Sequence, residues 1–300
     1  METSEVSLLP PAIDLPRLMQ IAYGIGDYWT QRWSPLPMRY WYRGSDDESF
    51  SLNPSLLRPP FRHLDLQGAE LDRDMQQAEY EIAIDFRTRG RPYFKWHPMT
   101  PWEEMLLMQH YGFPTRLLDW TESLVNAAYF ACRDVTSEKD GAVWMMAPNY
   151  LLEKVDADGQ RNYGGTHLPT TNEALEAYKP ISRAIDLQAF AQLPPLPLFP
   201  EFIDVRITAQ RGRFTVHTFQ ERSLEQLNES DASAVGQRYS FLQKVIIPAS
   251  AKPTIRQQAL IFGGADEASM FPDLEGLSRA MRFDAIESHN ERHPDRPLRG

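Results

Sequence analysis

The chain has 300 residues, 42% hydrophobic and 24% charged, with a formal net charge of −10. That supplies a sizeable core for one large or two small domains, while the negative charge opposes non-specific binding to nucleic acid or anionic membrane. One cysteine, Cys132, excludes an intrachain disulfide and a multi-cysteine metal site.

The N-terminal METSEVSLLPP carries two acids, no basic stretch and no apolar core, so it does not read as a signal peptide. No apolar run approaches the ~20 residues of a membrane span. A cytoplasmic protein with no membrane partner is expected. Residues 1–37 read as a lead containing a helix from about Leu15 to Trp29. MRYWYRG (38–44) alternates aromatic and basic side chains, as a strand ending at Gly44 does. SLNPSLLRPPF (51–61) has too many prolines for regular structure. Leu71, Met75, Ala78, Ile82 and Phe86 recur at steps of three and four, the buried stripe of a helix.

The next helix has explicit punctuation. Thr100 is its N-cap, Pro101 its first residue and Glu103 the partner in a capping box; Gly112 stops it and Pro114 forbids a restart. TRLLDW (115–120) reads as extended, and Thr121 as the cap of a third helix with Glu122 near its positive end. Asp140-Gly141 turns into AVWMMA (142–147), a buried strand.

Residues 148–197 read as a variable insertion, polar at NYGGTHLPTTNEA and proline-rich at LPPLPLFP. The PxxP spacing suits either an SH3-type groove or an extended lead into a strand. FIDVRIT (202–208), GRFTVHT (212–218) and QKVIIP (243–248) read as strands. Helices over about 253–262 and 271–281 close the domain, and residues 286–300 read as a disordered tail.

Chemically capable side chains concentrate in Met105–Cys132. Arg43, Arg58 and Arg116 would form an anion site if they met in one pocket; alternatively Arg116 and Asp119 lock their connector together. Gly44 would let a ligand approach the backbone. His110 is an acid/base candidate, but it also sits where a protonated imidazole stabilises a helix end. Tyr111 and Trp120 suit ring walls or core, and Asp119 and Thr121 suit architecture as well as ligand contact. On a strand, Gln210 and Gly212 share one face, so that Gln210 would face a pocket while Arg211 and Arg213 face solvent or a partner. Glu79 and Glu81 make a poor carboxylate pair, being two apart on a helix. Cys132 reads as buried rather than nucleophilic. No HExxH metal spacing, phosphate loop or G-x-S-x-G elbow occurs.

WYRG (41–44), LNPSLLR (52–58), QHYGFPTRLLDWT (109–121), AAYFA (127–131), DGAVW (140–144), RITAQRGRFTVH (206–217) and MFPDLEGL (270–277) occur in this order. Together they resemble the FRG domain, a bacterial and phage family named for its aromatic-Arg-Gly motif. The resemblance spans about 38–282, within a domain bounded at 38–285. A fainter likeness of layout is to ADP-ribosyltransferases. It matches Arg43-Gly44 on a first strand, Leu118 to Thr121 ending a second, a helix with Ala127 to Ala131 directly after, another strand from Gly141 to Met146, and Gln210-Arg211-Gly212 as the motif of the acid-bearing strand. That site would present an acid where this chain has Gln210, and Asp119 or Asp204 would have to stand in.

The expected fold is α+β: a mixed or mostly antiparallel sheet with surrounding helices and one cleft. The resemblance implies a cleft for NAD or a related nucleotide, with no metal. Arg43 would hold phosphates, Tyr111 and Trp120 would wall the rings, and Asp119, Thr121 and Gln210 would position the ribose side in ADP-ribosyl transfer or NAD hydrolysis, with His110, Asp119 and Gln210 as the catalytic candidates. The alternative is a non-catalytic module recognising a nucleotide, peptide or protein partner. Nucleic-acid binding through Arg87, Arg89, Arg91, Arg211 and Arg213 is opposed by the overall charge.

Overall fold

Six short strands, β1 (Trp41–Ser45), β2 (Leu117–Thr121), β3 (Gly141–Met146), β4 (Leu196–Leu198), β5 (Gly212–Val216) and β6 (Leu242–Ile247), form one open sheet in the order β4-β5-β2-β1-β3-β6. Every pairing is antiparallel, so the fold is α+β as expected. The structure is a computed structural model describing residues 9–33, 39–94, 98, 100–155, 170, 178–182, 186–200, 205–219, 223–235, 239–293 and 295–296.

The register is uneven. β1 pairs with β3 from Trp41↔Met146 to Ser45↔Ala142, β2 with β5 from Leu117↔Val216 to Thr121↔Gly212, and β3 with β6 along its whole length. β1 meets β2 at one position, Tyr42↔Thr121. The sheet is therefore two three-stranded plates, β4-β5-β2 and β1-β3-β6, joined by a narrow seam.

Helices cover the plates. They are α1 (Leu15–Trp33), α2 (Gly68–Gly90), α3 (Pro101–His110), α4 (Leu124–Ala131), α5 (Pro148–Val155), α6 (Leu187–Ala191), α7 (Val205–Ala209), α8 (Leu224–Val235), α9 (Lys252–Gly263), α10 (Glu267–Met270) and α11 (Leu274–Arg292). The lead helix α1 shares the main core: Leu15, Leu18, Ile25 and Trp29 are buried in it, and the Trp29 indole donates to the Ser240 carbonyl at 3.0 Å. The Thr100–Glu103 capping box opens α3, and Gly112, at φ 76°, turns the chain after it.

α4 lies unusually close to the sheet. A Cβ on Gly44 would stand 1.9 Å from the Ala127 carbonyl oxygen, and one on Gly141 would stand 2.5 Å from that of Ala131. Glycine on two strands and alanine on the helix allow this approach, which fixes α4 against β1 and β3.

Several local expectations are corrected. Ser123, not Thr121, caps α4, because its hydroxyl accepts from Asn126 N while Thr121 still belongs to β2. The reading of 202–208 as a strand fails over its described part, since Val205–Ala209 is helical and residues 201–204 lie outside the described residues. Valine and isoleucine favour strands only weakly, and packing of this turn on β5 overrides them. The helix placed at 271–281 is α11, which starts only at Leu274, after Pro272, with Asp273 as its cap; the short α10 before it, capped by Asp266, was not expected. Helix α11 runs to Arg292, into the segment read as a tail. LPPLPLFP supplies the edge strand β4 with Leu196 and Leu198 buried, so it is consumed by the sheet rather than offered to a partner groove. Most of NYGGTHLPTTNEA lies outside the described residues. No helix among the described residues is long and apolar enough to cross a membrane.

Candidate functional site

A cleft of about 350 Å³ lies along the seam between β1 and β2. β1 contributes Tyr42, Arg43 and Gly44, and β2 contributes Leu117 to Thr121. Ser55 and Arg58 close one wall, while Gln109 and Phe113, at the end of α3 and after it, help to close another. Phe130 of α4, Arg206 of α7 and Gln210 complete the lining.

Arg43 crosses the seam. Its Nη1 donates to the Asp119 carbonyl oxygen at 2.7 Å and stands 3.9 Å from Asp119 Oδ2. Its side chain keeps 24% of its surface exposed. Burial pushes its pKa down, Asp119 pulls it back up and Arg58 pushes it down further. An arginine so perturbed stays charged, because its ordinary value is far above neutrality. Arg58, half-buried, donates from Nε to the Pro54 carbonyl at 3.4 Å, and burial lowers its pKa against the pull of Asp119. Arg206 donates to the His110 carbonyl at 2.9 Å and lies over the Phe271 ring at 4.4 Å. Among the described residues, three guanidiniums and one carboxylate, Asp119, are therefore the charged groups lining the cleft. This is a locally positive site on an acidic chain.

The Asp119 carboxylate is oriented from behind. Gln109 Nε2 donates to Oδ2 at 2.8 Å, and the Thr115 hydroxyl donates to Gln109 Oε1. Thr121 and Gln210 meet across the strand ends. The Thr121 hydroxyl donates to the Gln210 carbonyl at 2.7 Å, and Asn126 Nδ2 adds a second bond to it at 3.3 Å. The Gln210 side chain donates to the Met270 carbonyl at 2.9 Å, tying the turn before β5 to α10. Gln210 is thus in a turn after a helix, not on a strand beside Gly212, and Arg213 is buried rather than facing solvent.

The cleft brings together Arg43, Gly44, Arg58, Asp119, Trp120, Thr121 and Gln210. Gly44 lines it with backbone, but its missing Cβ makes room for α4, not for a ligand. Trp120 borders the cleft yet is 3% exposed, its indole N–H donating to Thr215 Oγ1 at 3.1 Å. The accessible aromatic walls are Tyr42, Phe113 and Phe130. His110, Tyr111 and Arg116 are not brought in. His110 and Tyr111 pack edge to face at 4.6 Å at the C-terminal end of α3, and Tyr111 is 55% exposed.

Arg116 points the other way and is fully buried. Its Nε donates to Glu79 Oε1 at 2.7 Å, Nη1 to the His217 carbonyl at 2.6 Å and Nη2 to the Tyr178 carbonyl at 3.1 Å. The Phe190 and Phe219 rings flank it at 5.0 and 5.2 Å. Its ion-pair partner is Glu79 rather than Asp119. Gln109, Arg206, Ser55 and the two phenylalanines escaped the sequence reading. Arg206 and Gln210 stand four apart, a helical spacing that would have placed them together had 205–209 been read as helix.

Among the described residues, no group of three or more His, Cys, Asp or Glu side chains is placed to hold a metal ion. Residues 38–140 match the family model described as the FRG domain. The likeness to the FRG domain is that of this stretch. The matched stretch contains β1, β2, α4 and all but two of the cleft's lining residues, and leaves out Arg206 and Gln210. The quoted pieces from 206 onward also lie beyond it. Searches of curated proteins and of solved structures each found no match.

Proposed function

We propose that the seam cleft binds NAD or a related nucleotide, with the phosphates on Arg43 and Arg58. The observation that carries this reading is the convergence of Arg43, Arg58 and Arg206 around a single carboxylate in the cleft. Guanidinium forks suit phosphate oxygens, and a volume of about 350 Å³ falls within the size range of small-ligand sites. Tyr42, Phe113 and Phe130 supply flat apolar surface for a ring. Arg43 on β1, Thr121 ending β2 and α4 directly after support the likeness to the ADP-ribosyltransferase layout, whereas Gln210 sits in the turn before β5 rather than on the strand.

Asp119 would take the acid's place in ADP-ribosyl transfer or NAD hydrolysis. Gln109 fixes its carboxylate, leaving 57% of the side chain exposed to receive a ribose hydroxyl or a proton. Asp204, the other acid considered, lies outside the described residues. A bound dinucleotide would supply the glycosidic bond; the protein's part would be to hold phosphates, exclude water with the aromatic walls and present one oriented carboxylate.

A second reading, recognition without chemistry, is favoured by one observation. Gln210 spends its amide on the Met270 carbonyl where a transferase would have an acid.

Calorimetric titration with NAD, ADP-ribose and ATP, wild type beside Arg43→Ala, tests the first claim. Binding should weaken by about 10- to 100-fold when a charge-assisted hydrogen bond is lost. Absence of binding to all three ligands by a folded wild type sinks the proposal. If binding holds, nicotinamide release by wild type and Asp119→Asn separates chemistry from recognition. Release that Asp119→Asn abolishes supports catalysis, and none from the wild type supports the binding module.

A further inference from the structure

Beside the cleft, and sharing Tyr42 with it, lies an open pocket of about 570 Å³. Its charged lining is Arg39, Arg211, Arg213 and Glu122. Glu122 is held by the buried Arg213, whose Nε and Nη2 reach the two carboxylate oxygens at 3.1 and 3.0 Å. Arg213 also donates to the Gly212 carbonyl at 2.7 Å and stacks over Phe199 at 4.3 Å. That pair is structural and nearly neutral. Arg39 stands 3.5 Å from the same carboxylate with 76% of its side chain exposed, a geometry worth little as an ion pair. Arg211 is exposed and is carried on a left-handed backbone, φ 49°, at the turn before β5. The pocket thus presents two solvent-facing guanidiniums in excess of its one carboxylate, on a chain of net charge −10. Thr208 and Tyr42 stand among them as further lining.

We infer that this pocket is a phosphomonoester subsite, in which Arg39 and Arg211 grip a phosphate dianion from the two sides of the Glu122–Arg213 pair. Guanidinium is the donor best matched to phosphate oxygens, and two exposed forks converging on an open pocket give such a dianion both charge and hydrogen bonds. The phosphate has two possible sources. It can be an extra phosphate on the nucleotide of the adjoining cleft, or it can belong to a separate molecule. The inference does not require the nucleotide reading of the cleft.

The test titrates the full chain with inorganic phosphate at low ionic strength, following amide shifts and heats. Wild type is compared with Arg39→Ala/Arg211→Ala and with Arg43→Ala. Saturable binding should survive Arg43→Ala and weaken at least about 10-fold in the double variant. It should also strengthen as pH rises through the second ionisation of inorganic phosphate, where the monoanion becomes the dianion. No saturable binding overturns the proposal. So does phosphate binding that Arg43→Ala removes and the double variant spares. NADP set beside NAD then assigns the source. Tighter binding of NADP, by a factor that the double variant erases, places the phosphate on the cleft's own ligand. Equal binding of the two, with inorganic phosphate still bound, supports a separate phosphorylated molecule. The double variant changes exposed side chains, so a melting profile like the wild type's should accompany it.

Discussion

Arg116 and Asp119 stand three residues apart, yet the two sites they serve have opposite character. On one side of β2 the guanidinium of Arg116 is sealed among Glu79, three main-chain carbonyls and two phenylalanine rings. On the other, Arg43 reaches Asp119 across a seam open to solvent. Both regions are built from arginine, a carboxylate and borrowed carbonyl oxygens. The difference lies in completion. The anchor satisfies its charge inside the fold, whereas the cleft holds more cationic than anionic groups. Arginine content alone therefore says nothing about ligand binding; the local balance of donors and acceptors does.

Breaking the anchor should have the largest effect. Arg116→Met leaves Glu79 buried and unpaired and should cost about 3–5 kcal/mol in urea unfolding. A loss below about 1 kcal/mol would mean the anchor is not what holds this side of the sheet. Gly44→Ala probes the cleft wall, because its methyl group would meet main chain rather than a yielding side chain. A loss of about 3 kcal/mol is expected, accompanied by weakened nucleotide binding as β1 shifts from α4.

His217 sharpens the contrast through pH. It is buried beside Arg116, with Nε2 2.9 Å from Thr215 Oγ1, and burial followed by the charges of Arg116 and Arg43 lowers its pKa from 6.5 to about 3. Between those values the unfolded chain holds a proton that the folded chain does not. Its contribution is complete above pH 6.5 and declines as pH falls towards 3. Between pH 6.5 and pH 5 wild type should lose about 2 kcal/mol more than His217→Gln, measured by denaturant titration at each pH. Equal losses would show that the imidazole is solvated. Tyr111→Ala should have the smallest effect, within about 0.5 kcal/mol and with nucleotide affinity unchanged, since the ring is exposed outside the cleft.

Much of this was legible where the signal is local. Thr100, Pro101 and Glu103 mark the start of α3 within one turn of chain, the alternation in MRYWYRG marks a strand, and TRLLDW reads as extended. Arg43, Arg58 and Asp119 were named from the same quoted pieces that the cleft gathers. What escaped depends on distant partners. Glu79 looks redundant in its own helix, and only the fold reveals that it meets Arg116, 37 residues later. Arg206 sits in a β-branched string whose helical state is set by packing. Tyr111 and Trp120 are both aromatic in sequence, but their exposures, 55% and 3%, follow from which side of a turn or strand each falls on.

The one-position seam gives the sheet a hinge. Each plate is stitched internally by full runs of register pairs, whereas Tyr42↔Thr121 and the Arg43 side chain span the joint between them. Elastic deformation concentrates where stitches are fewest, so amide exchange should be fastest along the facing edges of β1 and β2 and slower inside either plate. A molecule gripping Arg43 from one plate and Asp119 from the other would rivet that joint. Occupancy of the cleft would then be readable as slowed amide exchange along the facing edges of β1 and β2.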